Sequence, residues 1–229
     1  MSDLRDFFDE RKDEVNTYFE FINHVGIDHV GHKTIKFDSV NSLTTTDKLN
    51  QVLKSNCILI LYNLIEGIVT QSIIYVIDKI NDKNLKYEEL HSGIKHMMLR
   101  TSSKKVTKDF SDMNLDLVRY IDSVFDEVFN VEFDKNIKKR ILGGGGDFHD
   151  DFIIKNSKKI GIRFRRKENE LRNIKNDRND LAHGSKSYAE CSHTKTLREI
   201  KKQKTKVFRY LDAYVKAVDK YVDDEKYKV

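Results

Sequence analysis

Arg178 and His183, five positions apart in the run RNDLAH, are the two side chains of this chain whose types and spacing suit phosphate chemistry. Arginine brings a permanent charge and a forked donor set matched to phosphate oxygens. Histidine is the side chain that takes up and releases a proton near neutral pH. A cation that neutralises a phosphorane and a group that carries protons are enough for cleavage of RNA by the neighbouring 2′-OH, a reaction that needs no metal. Asn179 stands one turn before His183, where its amide can orient the imidazole or the phosphate. Arg172 and Lys175 precede this set on the same run, and Ser187, Tyr188, Glu190 and His193 follow it; these six are the expected substrate contacts.

A helix must carry the pair. Leu171, Ile174, Arg178 and Leu181 recur at helical spacing, so the arginine occupies a place where the apolar stripe calls for Leu or Ile. That is costly unless it faces a groove, a partner or an anion. Gly184 directly after His183 is a C′ glycine, which ends the helix and leaves His183 in its last turn, where the carbonyl end favours positive charge. The spacing predicts this helix over about residues 163–183. From Lys155 to Arg178 there are ten Lys or Arg against three acids, a local excess of +7 that fits a solvated helix face or an RNA-guiding surface equally.

The rest of the chain reads as helix around a core. Its 229 residues suit one domain, charged residues make up 34%, and no proline occurs, which permits long helices. A first helix is predicted over about residues 3–24, capped by Ser2, and residues 27–38 read as a short hairpin or an irregular loop. A long central helix follows from about Thr46 to Ile80, then a shorter one over 86–99, a polar linker, and another over 112–130. Residues 131–162 are the least regular, with glycines at 143–146 as a turn or hinge. Thr196 and Glu199 form a capping box for the last helix, whose seam runs through Leu197, Ile200, Lys204, Val207, Leu211, Tyr214, Val218 and Tyr221. The expected layout is a single domain over 1–229, with an N-terminal helix and loop (1–45), a bundle (46–130), the irregular segment (131–162), and the signature helix, turn and last helix (163–229). Cys57 and Cys191 give neither a disulfide framework nor a metal spacing, and no leader or apolar segment near the ~18 residues of a membrane span is expected, so a cytoplasmic location without membrane contact is. His149 with Asp147, Asp150 and Asp151 forms a loose ligand cluster that reads better as a solvated loop, and no metal or cofactor is expected.

Arg178 to His183 matches the R-x4-6-H signature of the HEPN family. The run LAHGSKSYAECSHTKT resembles the LAHG-x-x-SF-x-E segment of small bacterial HEPN proteins of the MAE-like and RiboL-PSP-associated groups, and Leu61 to Glu66, LYNLIE, resembles their LLLYNLVE helix. Tyr188, Ser192 and His193 stand where that pattern has Phe, Gly and Arg. Ser185 replaces the tyrosine of HEPN toxins that pair with nucleotidyltransferase antitoxins, so that pairing is not implied. The resemblance implies an all-α, HEPN-like helical bundle acting as a metal-independent endoribonuclease, with Arg178, His183 and Asn179 as its catalytic set. It also implies a homodimer, an RNA target such as tRNA or mRNA, a role as toxin or phage-defence effector, and with that role an antitoxin or other neutralising partner. Asn63 and Glu66 in LYNLIE are expected to be buried and hydrogen-bonded. Two rivals remain: a non-catalytic module that binds RNA, nucleotide or a partner protein, and a purely structural helical dimer.

Overall fold

The computed structural model describes residues 2–25, 34–36, 42–44, 46–95 and 147–229. The helices described in full are α1 (Asp3–Val25), α2 (Asp47–Asp82), α3 (Asp150–Lys159), α4 (Asn169–Ala182), α5 (Tyr188–Ser192) and α6 (Leu197–Asp223), with a 3₁₀ turn at Tyr87–Glu89. A two-stranded antiparallel ribbon, β1 (Thr34–Lys36) and β2 (Ser42–Thr44), pairs Ile35 with Leu43. The fold is all-α, with this small hairpin the only sheet among the described residues; it falls partly within the segment for which hairpin and loop were both expected.

α2 is the axis of the molecule because it is apolar almost all the way round. Cys57, Ile58, Leu61, Tyr62, Ile65, Ile68, Val69, Val76 and Ile80 are all buried, and α1, α4, α5 and α6 each pack against it. Burying each Leu or Ile is worth roughly 1.5–3 kcal/mol, so this stripe dominates the energetics of assembly. Thr46 caps the helix by accepting from the Leu49 amide at 3.2 Å. The expectation that no segment approaches a membrane span needs correcting: by length and composition α2 passes that test. Over half of its most apolar window is covered by the other helices, which marks the core helix of a bundle.

α6 forms the second wall. Its capping box is present, with Glu199 accepting from the Thr196 amide at 2.8 Å and the Thr196 hydroxyl accepting from the Glu199 amide at 3.2 Å. Every residue of its expected seam is buried except Lys204, which runs its stem along the seam and sets its ammonium over the Phe19 ring at 4.8 Å and the Phe208 ring at 5.4 Å, donating to Asn16. The chain end folds back, with Val229 N–H donating to the Glu89 carbonyl and His91 N–H to that of Tyr227.

Three boundaries differ from the sequence reading. The predicted helix over 86–99 is the 3₁₀ turn followed by helix from Ser92 to Lys95, where description stops. Residues 150–159, placed in the irregular segment, are helical, with Asp150 and Asp151 in the first turn and Lys158 and Lys159 in the last, the charge order that the helix dipole favours. The signature helix begins at Asn169, not near 163. Ile162 and Phe164 are buried while Arg163, Arg165 and Arg166 are exposed, a two-residue alternation that a helix cannot present to one surface. The helix expected over 112–130 and the glycines at 143–146 lie outside the described residues.

Candidate active site

α4 positions the pair through its ends. At its start, Glu168 is the N-cap and Leu171 and Ile174 are fully buried. At its end, His183 is the C-cap, its amide bonded to the Asn179 carbonyl at 2.9 Å, and Gly184 follows with φ +70°. That left-handed conformation favours glycine and stops the helix where the C′ reading placed it. The Ser185 hydroxyl and the Lys186 amide both donate to the Asp180 carbonyl, and the Lys186 ammonium pairs with the Asp180 carboxylate at 2.5 Å. This ion pair holds the Asp180 carboxyl below its ordinary range. Asp177 is likewise matched to Lys195 at 2.7 Å.

The two acids nearest Arg178 on α4 are therefore committed to lysines of the following turn. Arg178 itself makes no ion pair among the described residues. Its guanidinium lies 4.6 Å from the centre of the Tyr62 ring, and one amino group donates to the Asn179 side-chain oxygen at 3.2 Å. Tyr62 is completely buried on α2, and Phe148 meets its ring edge-on at 6.5 Å. Burial, aided by Glu66, pushes the Tyr62 phenol up to about 12. It stays neutral near physiological pH, so it serves as an aromatic floor and not as an acid or base. The arginine in the apolar stripe thus has an internal explanation: the stripe meets a π-face there, and cation–π contact offsets part of the cost of burying the charge. Among the described residues, the guanidinium edges not bonded to Asn179 have no hydrogen-bond or ion-pair partner.

His183 is exposed, and no hydrogen bond or ion pair joins it to Arg178 among the described residues. The other expected contacts divide into two groups. Lys175 is held by Asp147 at 3.1 Å, and Arg172 is paired with Asp151, which also receives Lys167. Both cations are neutralised where they stand. Ser187 and Glu190 form the capping box of α5, with Glu190 accepting from the Ser187 amide and hydroxyl, each at 2.8 Å. Tyr188 is 42% exposed and His193 caps the end of α5, open to solvent. The turn is itself a short helix docked on α2, where Ser55 donates to the Tyr188 carbonyl at 2.7 Å and Ser192 to the Gln51 carbonyl at 3.0 Å.

His149, Asp150 and Asp151 can each offer one ligand atom within 4.8 Å of the others. They do not form the solvated loop expected: Asp150 is buried and accepts from the amides of Asp151 and Glu168. With Asp151 and Asp147 engaged by cations of α4 and the strap before it, the group latches α3 to the signature helix. Cys57 and Cys191 are both buried thiols, raised by that burial, Cys57 to about 12, and neither is a nucleophile near neutral pH. Asn63 departs from expectation. It is exposed, lining a groove with Phe7, Tyr18 and Gly67, because one residue along a helix is a turn of about 100° away from Tyr62. Glu66, one turn beyond Tyr62, is half-buried on the site's side. The residue that sequence reasoning passed over was Tyr62 itself, although it lies in the LYNLIE run; the neighbouring polar residues drew attention because aromatic residues in an apolar helix usually mean core.

The all-α bundle and the arginine, asparagine and histidine at the end of α4 agree with the resemblance to HEPN proteins, a class associated with nuclease and RNA-related functions. The chain belongs to the HEPN family: the family model described as HEPN_MAE_28990-like HEPN matches residues 1–227. No curated protein and no solved structure matches the chain.

Proposed function

We propose that this protein is a metal-independent endoribonuclease acting as a toxin or phage-defence effector, in the cytoplasm, on a translation-related RNA such as tRNA or mRNA. The observation that carries this reading is Arg178, stacked on a buried neutral ring, bonded to Asn179 and matched to no carboxylate among the described residues, on a helix that ends in an exposed histidine. A structural arginine would have been paired with Asp177 or Asp180, yet both are taken by lysines. In the proposed reaction a base removes the proton of the 2′-OH, whose oxygen attacks phosphorus, and the bond from phosphorus to the 5′ oxygen breaks. The leaving oxygen takes a proton, giving a 2′,3′-cyclic phosphate and a 5′-OH. Arg178 neutralises the phosphorane, Asn179 holds the guanidinium in line, and His183 moves the protons.

One observation favours a second reading, a non-catalytic module that binds RNA, nucleotide or a partner protein: among the described residues of the protomer, no hydrogen bond or ion pair joins Arg178 to His183. Five residues on one helix are about 140° apart, so the catalytic reading needs a homodimer in which two signature helices share one cleft. Incubating the purified protein with total RNA in EDTA, beside a His183→Ala control, decides between them. Cleavage that survives chelation and falls by about 10²-fold or more in the control is expected. RNA bound but left intact favours the binding module, and activity that returns only with Mg²⁺ or Mn²⁺ overturns the metal-free mechanism.

A further inference from the structure

The ten basic residues from Lys155 to Arg178 are not equivalent once the fold is known. Lys167, Arg172 and Lys175 are neutralised by Asp151 and Asp147. Arg163, Arg165 and Arg166 are exposed and make no ion pair or hydrogen bond through their side chains among the described residues. They lie on the non-helical strap between α3 and α4, and the strap is pinned from beneath. Ile162 and Phe164 are buried, and the Phe164 ring meets Tyr210 and Tyr214 edge-on at 5.2 Å each. Gly161 enters the strap with φ +92°, packed against His91 and Tyr221. Three arginines are thus held outward on a fixed backbone, with no acid paired to them among the described residues.

We propose that this strap is an RNA-backbone docking site, separate from the cleavage site and neutralising phosphates of the substrate several nucleotides away from the reacting bond. It rests on the endoribonuclease reading for the identity of the polyanion, but not for the existence of a binding surface. Arginine suits the task, because its fork engages phosphate oxygens in pairs, and three unpaired guanidiniums release counterions on binding. Fourteen residues of α4 separate the strap from His183, about 20 Å of helix, or roughly six nucleotides at the ~3.4 Å rise of a stacked strand. The strap therefore grips long RNA and is out of reach of a dinucleotide.

The test is binding of a fluorescein-labelled single-stranded RNA 20-mer to the full chain in a His183→Ala background, followed across salt concentration. Arg163→Gln, Arg165→Gln and Arg166→Gln together are expected to weaken binding about tenfold or more and to reduce the slope of log K against log salt by about 2, whereas Arg172→Gln leaves the slope unchanged. In the cleaving protein the same triple change raises KM for long RNA and leaves dinucleotide turnover as it was. A triple variant of unchanged circular dichroism and melting temperature that binds RNA with the original affinity and slope overturns the proposal, as does loss of binding to anionic vesicles while RNA binding persists. RNA bound through the strap without any cleavage would sink the endoribonuclease reading and leave this one standing.

Discussion

At the scale of single residues, what sets Arg178 apart is what it lacks. A guanidinium half-buried in a helical stripe would ordinarily acquire a carboxylate, since an unpaired charge in a low-dielectric setting is expensive. Here Tyr62 and Asn179 take that place, and neither cancels the charge. Tyr62 is therefore expected to act as a positioning residue. Tyr62→Phe keeps the ring and should cleave RNA within about twofold of the parent, while Tyr62→Leu should lose about tenfold, the ~1–2 kcal/mol of a partly desolvated cation–π contact. Rates measured beside melting temperatures separate this from simple loosening of the core. A Tyr62→Leu protein that melts with the parent and cleaves as fast would show that the floor is dispensable. Tyr62 also shows how far the sequence could be read: an aromatic residue in an apolar helix signals burial, and only the fold tells that one of its faces is spent on an arginine 116 positions away in sequence.

At the scale of elements, α4 is fixed more firmly at its start than at its end. Glu170 receives Lys206 at 2.9 Å and Gln203 at 3.2 Å from α6, and Asp150 and Asp151 clasp it from α3. Burial alone would raise the Glu170 carboxyl, but bonds from Lys206, Gln203 and Asn173 outweigh it and hold the group below its ordinary value. A carboxyl depressed in the folded state contributes stability above its unfolded pKa and loses it as pH falls through the folded one. The urea midpoint should then fall as pH drops below the ordinary carboxyl value of 4.5 and through the lower folded one, and Glu170→Gln should flatten that fall while lowering stability at pH 7. An unchanged pH profile in the variant would remove this pair from the account. The start of α4 also explains the misplaced boundary at 163: local charge and spacing allow a helix there, but the rings of Tyr210 and Tyr214 capture Phe164 and hold the backbone in a strap.

At the scale of the whole molecule, a site that presents Arg178 and His183 about 140° apart on one helix calls for a second copy. Mass in solution should be that of a dimer. Mixing Arg178→Ala with His183→Ala chains under conditions that allow subunit exchange should restore part of the cleavage that each lacks alone, because one cleft of the mixed dimer would keep an intact arginine and an intact histidine from opposite protomers. A monomer that cleaves at the full rate would dispose of the shared site.

The sequence by itself determined the all-α class, the central helix to within about two residues, the start of the last helix and the glycine that stops the signature helix. Those features are local: apolar periodicity, capping residues and a left-handed turn act within a few positions of one another. Only the tertiary structure decided which cations are spent and which are available, because Asp147 and Asp151 reach Lys175 and Arg172 across 28 and 21 positions of sequence. It also decided that Tyr62, and not Asn63, lies beneath Arg178. Charge pairing and ring packing depend on which helix faces meet, and no spacing within one segment encodes the orientation of another.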